Sequence, residues 1–404
     1  MPKGGDADLN TPLAGIRVID LGQVYQGPYA TFLMAKAGAE VIKVEPPGGD
    51  ALRLRAELGG GAMLPFEMLN ANKRSITLNL KSEQGRELLH GLVSTADVLV
   101  ENFAPGVMDR LGVGWEKLHA INPRLIYGSG TGFGLSGPDR DNLAMDITIQ
   151  AVAGAMSVTG TADGPPVRAG PAIADFLGGI HLYAAVLTAL VERGRTGRGR
   201  LVEVAMQETV FPTLASSLGM AYETGEVPER TGNRHSGLAV APYNVYPTKD
   251  GFVAIIALRE THWDAVLNLI GREDLRGDPR FQSNASRSAH MDETDAVISA
   301  WTQKHDCAEV FALAKNARVP CAPVRGLMDV WHDPHMLERG MLEWVDHPRL
   351  GRVVLPNSPL RIHGADPVAQ IPAPELGEHT SSILANTLGL SEAAIADLRR
   401  AKAI

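Results

Sequence analysis

The chain has 404 residues, too many for one core of ordinary size, so two domains are expected. A formal net charge of −8 excludes a general nucleic-acid-binding face, although a few local Lys and Arg would suffice for an anionic small molecule. Two cysteines, Cys307 and Cys321, give neither a disulfide framework nor a metal-ligand spacing, and they suit a reducing, cytoplasmic compartment. Met1 to Thr11 is polar and lacks the apolar stretch of a signal peptide. The longest strongly apolar run, Ile180–Val191, is shorter than the ~20 residues of a membrane span, so no membrane partner is expected.

The first half alternates strand and helix signals. Ile16–Leu21 is a β-rich run ending at Gly22, and a helix opens near Pro28 and stops near Gly38. Glu40–Glu45 reads as a second strand, closed by Pro46-Pro47-Gly48-Gly49. Ser82 caps a helix through Ala96, and Asp97–Glu101 is a third strand. A helix covers about 106–121, and Leu125–Ser129 is a fourth strand running into Gly130-Thr131-Gly132-Phe133-Gly134. Such alternation predicts an α/β fold with a doubly wound parallel sheet, whose ligands bind outside the carboxyl ends of the strands. The segments to watch are therefore Gln23–Pro28, Asn102–Gly106 and Gly130–Gly134.

Ile180, Tyr183, Leu187 and Leu190 recur at helical spacing, Gly194 is a fair stop, and Leu201–Met206 reads as a strand. After about Gly225 the pattern changes. Val240–Lys249 and Gly251–Ala257 look like strands about a Lys249-Asp250-Gly251 turn, followed by amphipathic helices near His262–Ile270, Asp292–Lys304 and Ala308–Asn316. This predicts a smaller α+β domain over residues 226–330, after a large domain of residues 1–225. A Pro-rich stretch, Pro356 to Pro374, leads to a last helix over Ser391–Ala401.

Several motifs fail their tests. Gly130–Gly134 does not fit G-x-G-x-x-G, no phosphate-binding G-x-x-x-x-G-K-[ST] occurs, and no G-x-S-x-G elbow is present. His332-Asp333-Pro334-His335 reads as a polar turn, because Pro334 breaks the helix that would align two metal ligands. Asp175 stands out: it lies between a short apolar segment and a long apolar helix. A carboxylate there must be capped, paired or used. One reading is a helix N-cap. The other is a reactive group, with Gly178 and Gly179 leaving free backbone N–H groups for a developing oxyanion.

A series of segments then runs almost end to end: Leu13–Leu21, Gln26-Gly27-Pro28, Gly38–Glu45, Asn72-Lys73-Arg74-Ser75, Val100-Glu101-Asn102-Phe103-Ala104-Pro105-Gly106, Ala189–Arg200, Val319–Val324, Asp333-Pro334-His335 and Ala373–Thr380. In this order they resemble the class III CoA-transferases, the CaiB/BaiF family that includes formyl-CoA transferase and the carnitine CoA-transferases. The resemblance implies CoA transfer from an acyl-CoA to a carboxylic acid, with Asp175 as nucleophile and aspartyl anhydride and aspartyl-CoA intermediates. It implies CoA contacts at Gln23, Val24, Tyr25, Gln26, Leu78, Lys81, Asn102, Phe103, Arg110, Gly130, Thr131, Gly132 and Phe133. CoA and acyl-CoA are then substrates, with no permanently bound cofactor and no metal.

The resemblance also implies an interlocked homodimer whose large Rossmann-like CoA-binding domain is completed by residues 331–404, a return segment and the C-terminal helix. Departures are visible. Tyr25 stands where formyl-CoA transferase often has Gln, Pro46 replaces a basic residue, and Gly232–Gly237 would be the nearest match to a glycine-rich shielding loop. Gln150 and His235 are further pocket candidates. Two other readings share the fold: an α-methylacyl-CoA racemase, and an acyl-CoA-binding protein without turnover. Racemases carry Gly-His-Asp where this chain reads Ala144-Met145-Asp146, and Met145 cannot shuttle a proton.

Overall fold

The computed structural model of the protein describes residues 10–55, 63–226 and 230–404. The chain divides into two units. The first comprises the described residues of 1–149, 171–210 and 333–404, and the second those of 150–170 and 211–332.

In the first unit six strands form one parallel sheet: β1 Arg17–Asp20, β2 Glu40–Glu45, β3 Arg74–Thr77, β4 Val98–Glu101, β5 Ile126–Thr131 and β6 Leu201–Ala205. Their order is β3-β2-β1-β4-β5-β6. Successive residues of a strand serve opposite faces. Ile19, Ile42 and Leu99 pack with Leu88, Leu89 and Leu92 on one side, and Val18, Val41 and Val100 with Leu33, Leu182 and Val186 on the other. This is the expected doubly wound α/β architecture. The strand order reverses between β1 and β4, so the loops after those strands flank a crevice.

The helices that reach the site are α1 (Gln26–Lys36), α2 (Asp146–Val152) and α3 (Ile173–Thr196). Helix α3 runs past the expected stop at Gly194 and ends with Gly197 as a left-handed cap at φ +71°. Its 24 residues make it long and apolar enough, by length and composition, to cross a membrane, which the shorter run read from the sequence did not suggest. Leu182, Tyr183, Val186 and Ala189 nevertheless bury one face of it against the sheet and α1.

The expected helix over 106–121 is two helices, Val107–Arg110 and Trp115–Ile121, because Gly112 turns the chain at φ +72° between them. Three features escaped the pattern. Strand β3 is short and mostly polar. Residues 342–356 form an antiparallel hairpin, β10 (Leu342–His347) and β11 (Gly351–Pro356). A helix spans Thr380–Leu388. The return segment is tied to the sheet by Asn72 N–H to the Ile371 carbonyl and by His379 N–H to the Ser75 carbonyl. Asp333 caps the short helix Pro334–Glu338 by accepting from His335 N–H at 2.8 Å.

The second unit carries an antiparallel sheet of β7 (Tyr243–Pro247), β8 (Phe252–Ile256) and β9 (Cys321–Pro323). Helices Glu260–Ile270, Met291–Thr302 and Cys307–Asn316 cover it around Trp263, Phe281 and Ile298. It is an α+β unit. Residues 150–170 and the helix Ala215–Thr224 join it, whereas 226 was the expected start.

Candidate active site

The loop after β1 is held unusually firmly. Asp20, at the end of β1, is buried and accepts from Gly22 N–H and Thr31 Oγ1, each at 2.8 Å, and pairs with Lys73 at 2.8 Å. Burial works to raise the Asp20 pKa, but the charges of Lys73 and Lys43 outweigh it and keep the carboxylate ionised. Lys43 donates to the Gly22 carbonyl at 2.8 Å. Across the crevice Asn102, just after β4, accepts from Gln23 N–H at 2.7 Å and donates to the Gln23 carbonyl at 2.9 Å. These bonds hold Val24 at φ +62°, a left-handed conformation that is costly for a β-branched residue. Strain at such a turn is kept only where its surroundings over-determine it. Asn102, expected as a CoA contact, therefore uses its amide to shape the Gln23–Tyr25 turn.

Helix α1 begins directly after that turn. Tyr25 is its N-cap without a side-chain cap bond, and Gln26 is its first residue. The Gln26 side chain is buried at 2% exposure and lies between two glycines. A Cβ at Gly130, in β5, would stand 2.8 Å from the Gln26 carboxamide carbon, and one at Gly178, in α3, 2.8 Å from its Nε2. A Cβ at Gly179 would stand 2.8 Å from the Gln26 carbonyl oxygen. A side chain at any of these positions would require Gln26 to move. Gln26 Nε2 has no hydrogen-bond partner among the described residues.

Asp175 lies on the first turn of α3, three residues after Ala172, the N-cap. It is not the cap. The free amides of this helix end are served by Asp146, the first residue of α2, whose Oδ1 accepts from Ala174 N–H at 2.8 Å and from Asp175 N–H at 3.4 Å. The Asp175 side chain makes no hydrogen bond among the described residues. Burial, followed by the Asp146 carboxylate, pushes its pKa up to about 7, against the helix dipole that favours its anion. Phe176 packs tilted against Tyr29, with ring centroids 4.7 Å apart, and meets Tyr25 at 6.1 Å, so aromatic rings adjoin the residue that follows Asp175.

Gly178 and Gly179 do not supply free amides, as the sequence suggested, because they lie inside α3 with their N–H groups in its ladder. Among the other expected contacts, Gly130 and Thr131 end β5, and Gly132 and Phe133 follow it half-buried. Phe103 is half-buried, its N–H donating to Glu101 at 2.8 Å. Lys81 and Arg110 are exposed and carry no ion-pair partner among the described residues, as suits charges open to an anion. Leu78 is 1% exposed, and its side chain belongs to the core. Gln150 and His235 lie in the second unit. Gln150 accepts from Ala169 N–H at 2.9 Å, and His235 Nδ1 accepts from Gly237 N–H at 3.2 Å. Asp146 was missed as a positioning group. Its signal was present in Ala144-Met145-Asp146, where only the middle residue had been weighed.

A strained loop at the strand-order reversal and a partly buried carboxyl with raised pKa mark the candidate site. Residues 13–380 match CoA-transferase family III. The chain belongs to that family. It is 36% identical to a succinyl-CoA–D-citramalate CoA-transferase of Chloroflexus aurantiacus over 97% of this chain and 98% of that protein. It is 38% identical to an acetyl-CoA:oxalate CoA-transferase of Acetobacter aceti over 92% and 95%. A crystal structure of a CaiB/BaiF family protein from Brucella suis superposes with a TM-score of 0.82 at 34% identity, covering 94% of this chain and all of that one. As a family III CoA-transferase the protein works between acyl-CoA thioesters and carboxylic acids. Where a racemase would need a proton shuttle, the chain has Met145, which is 55% exposed.

Proposed function

We propose that the protein transfers CoA through covalent intermediates on Asp175. The observation that carries this is the state of that carboxyl: partly buried, without a capping or pairing duty, and pushed up to about 7. Desolvation of this kind strengthens a carboxylate as a nucleophile. One Asp175 oxygen adds to the thioester carbonyl carbon, and the C–S bond breaks to release CoA thiolate and leave a mixed anhydride. The thiolate adds to the aspartyl carbonyl, and the first acid leaves as its carboxylate. The acceptor carboxylate then adds to the aspartyl-CoA thioester, expelling thiolate and forming a second anhydride. Attack of thiolate on the new acyl carbon regenerates Asp175 and yields the product. Each step exchanges one activated acyl group for another, and no metal or redox partner enters the balance.

The backbone of the turn Gln23–Gln26, with Phe103 and the segment Gly130–Phe133, would hold CoA after the strands, with Lys81 and Arg110 on its phosphates. The relatives' names point to small carboxylic acids as exchange partners. Asp175→Asn keeps size and helix but lacks the nucleophile, so transfer should fall by several orders of magnitude while CoA still binds. Wild-type enzyme incubated with acyl-CoA and hydroxylamine should yield a hydroxamate on the Asp175 peptide. An active Asp175→Asn enzyme together with no adduct on wild type would sink the mechanism.

A further inference from the structure

Gln26 has a donor with no acceptor, at a place where burying one is costly. Its Nε2 is shut off from water and unpaired, and an amide donor left so forfeits the hydrogen bond it would make in water. The glycines around it are what give it room. A side chain at Gly178 would occupy the very space that Nε2 fills, 2.8 Å from the Cβ position. In a helix the Cα–Cβ bond leans toward the N-terminus, so that space lies over the preceding turn, the turn of Asp175. Asp175 and Gly178 are three residues apart and share a face. The unpaired donor of Gln26 therefore lies against the face of α3 that carries Asp175, and neither that Nε2 nor the Asp175 carboxyl has a hydrogen-bond partner among the described residues.

Building on the assignment of Asp175 as nucleophile, we infer that Gln26 is a second catalytic residue. Its Nε2–H donates to the aspartyl oxygen when charge develops there. In the thiolate step, sulfur bonds to the aspartyl carbonyl carbon and the C=O electron pair moves onto oxygen. That oxyanion receives the Gln26 hydrogen bond. On collapse the pair returns, the bond to the acyl carboxylate breaks, and no proton changes hands. The step in which the acceptor acid attacks the aspartyl-CoA thioester uses the same donor. Reorientation of the Asp175 carboxyl about its own χ angles brings its oxygen toward the slot between Gly130 and Gly178. A donor held dry by two glycines needs no reorganisation of solvent when the charge appears. The amides of Gly178 and Gly179, committed to the helix ladder, cannot do this.

Gln26→Met fills the same slot without a donor. Loss of one oxyanion donor should lower kcat about 10²–10³-fold. KM for acyl-CoA should stay within about threefold and the Tm within a few degrees, and hydroxylamine trapping on Asp175 should slow in parallel with kcat. A spacer role would move the Tm and leave kcat intact. Wild-type kcat in Gln26→Met would therefore overturn the inference, as would a loss confined to KM. If Gln26→Met does not fold, Gln26→Leu reads the same quantities. Trapping on wild-type Asp175 separates the two ideas. An adduct that forms at the same rate in wild type and Gln26→Met removes only the role of Gln26, whereas no adduct in wild type removes the nucleophile itself.

Discussion

At the scale of the residue, Asp175 is a group the fold keeps at a disadvantage. An ordinary aspartate ionises near 3.8, and this one near 7, because burial and then the Asp146 charge oppose ionisation. Two consequences follow for pH. Only the ionised form attacks, so log kcat/KM for acyl-CoA should rise with unit slope up to about pH 7 and then level. A flat profile between pH 5 and 8 would contradict this. Stability runs the other way. Between pH 3.8 and about 7 the folded chain holds a proton at Asp175 that the unfolded chain has lost, so stability falls as pH rises through that window. Asp175→Asn removes the fall. Its stability should overtake wild type progressively from pH 4 to pH 8, by an amount on the order of 1–2 kcal/mol, since partial exposure screens the charge, and thermal unfolding across that range checks it. The sequence showed that this carboxylate must be capped, paired or used. It could not show that Asp146, remote in sequence, would take over the capping.

At the scale of the element, the β1–α1 turn is the part that function has shaped. A valine at φ +62° persists because Asn102 grips Gln23 from both sides and Lys43 holds Gly22. Asn102→Ala frees two backbone groups and should let the turn relax, raising KM for acyl-CoA roughly tenfold, at about 1.4 kcal/mol per decade, with less change in the KM of the acceptor acid. Val24→Gly tests the strain. A glycine substituted for valine normally destabilises, but here it removes a left-handed penalty of about 1–2 kcal/mol, so the Tm should hold or rise. Thermal unfolding of both variants, with acyl-CoA kinetics, checks the pair. An Asn102→Ala enzyme with wild-type KM would mean that the turn holds itself. The sequence placed this loop correctly through strand alternation. It gave no sign that Asn102 acts on the loop through its side chain, since two residues 79 apart meet only when β1 and β4 lie side by side.

At the scale of the whole molecule, each unit leaves large apolar side chains open to solvent. Leu143 is 87% exposed in the first unit, and Tyr222 and Leu327 are 95% and 88% exposed in the second. With residues 357–374, which form no helix or strand, they are consistent with the interlocked homodimer that the family resemblance implies. Sedimentation of the purified enzyme should give a single dimeric species that does not dissociate on dilution to nanomolar concentration, as befits an interface well above ~2,000 Å². A fully active monomer would rule the interlocked arrangement out.

What the sequence determined by itself was local and periodic. Apolar alternation set β1, β2, β4 and β5 within a residue or two, Ser82 marked a helix start, and the run of matched segments marked the family. These signals survive because each is written in neighbouring residues. The tertiary structure decided the rest. It broke the helix expected over 106–121 at Gly112, and it recruited the polar strand β3 through bonds to β2. It also moved the capping duty from Asp175 to Asp146 and closed Gly130 and Gly178 on Gln26. In these cases the deciding partner is distant in sequence or the turn is a backbone event. Hydrogen bonding and close packing between remote segments leave no period in the chain for a sequence reading to find.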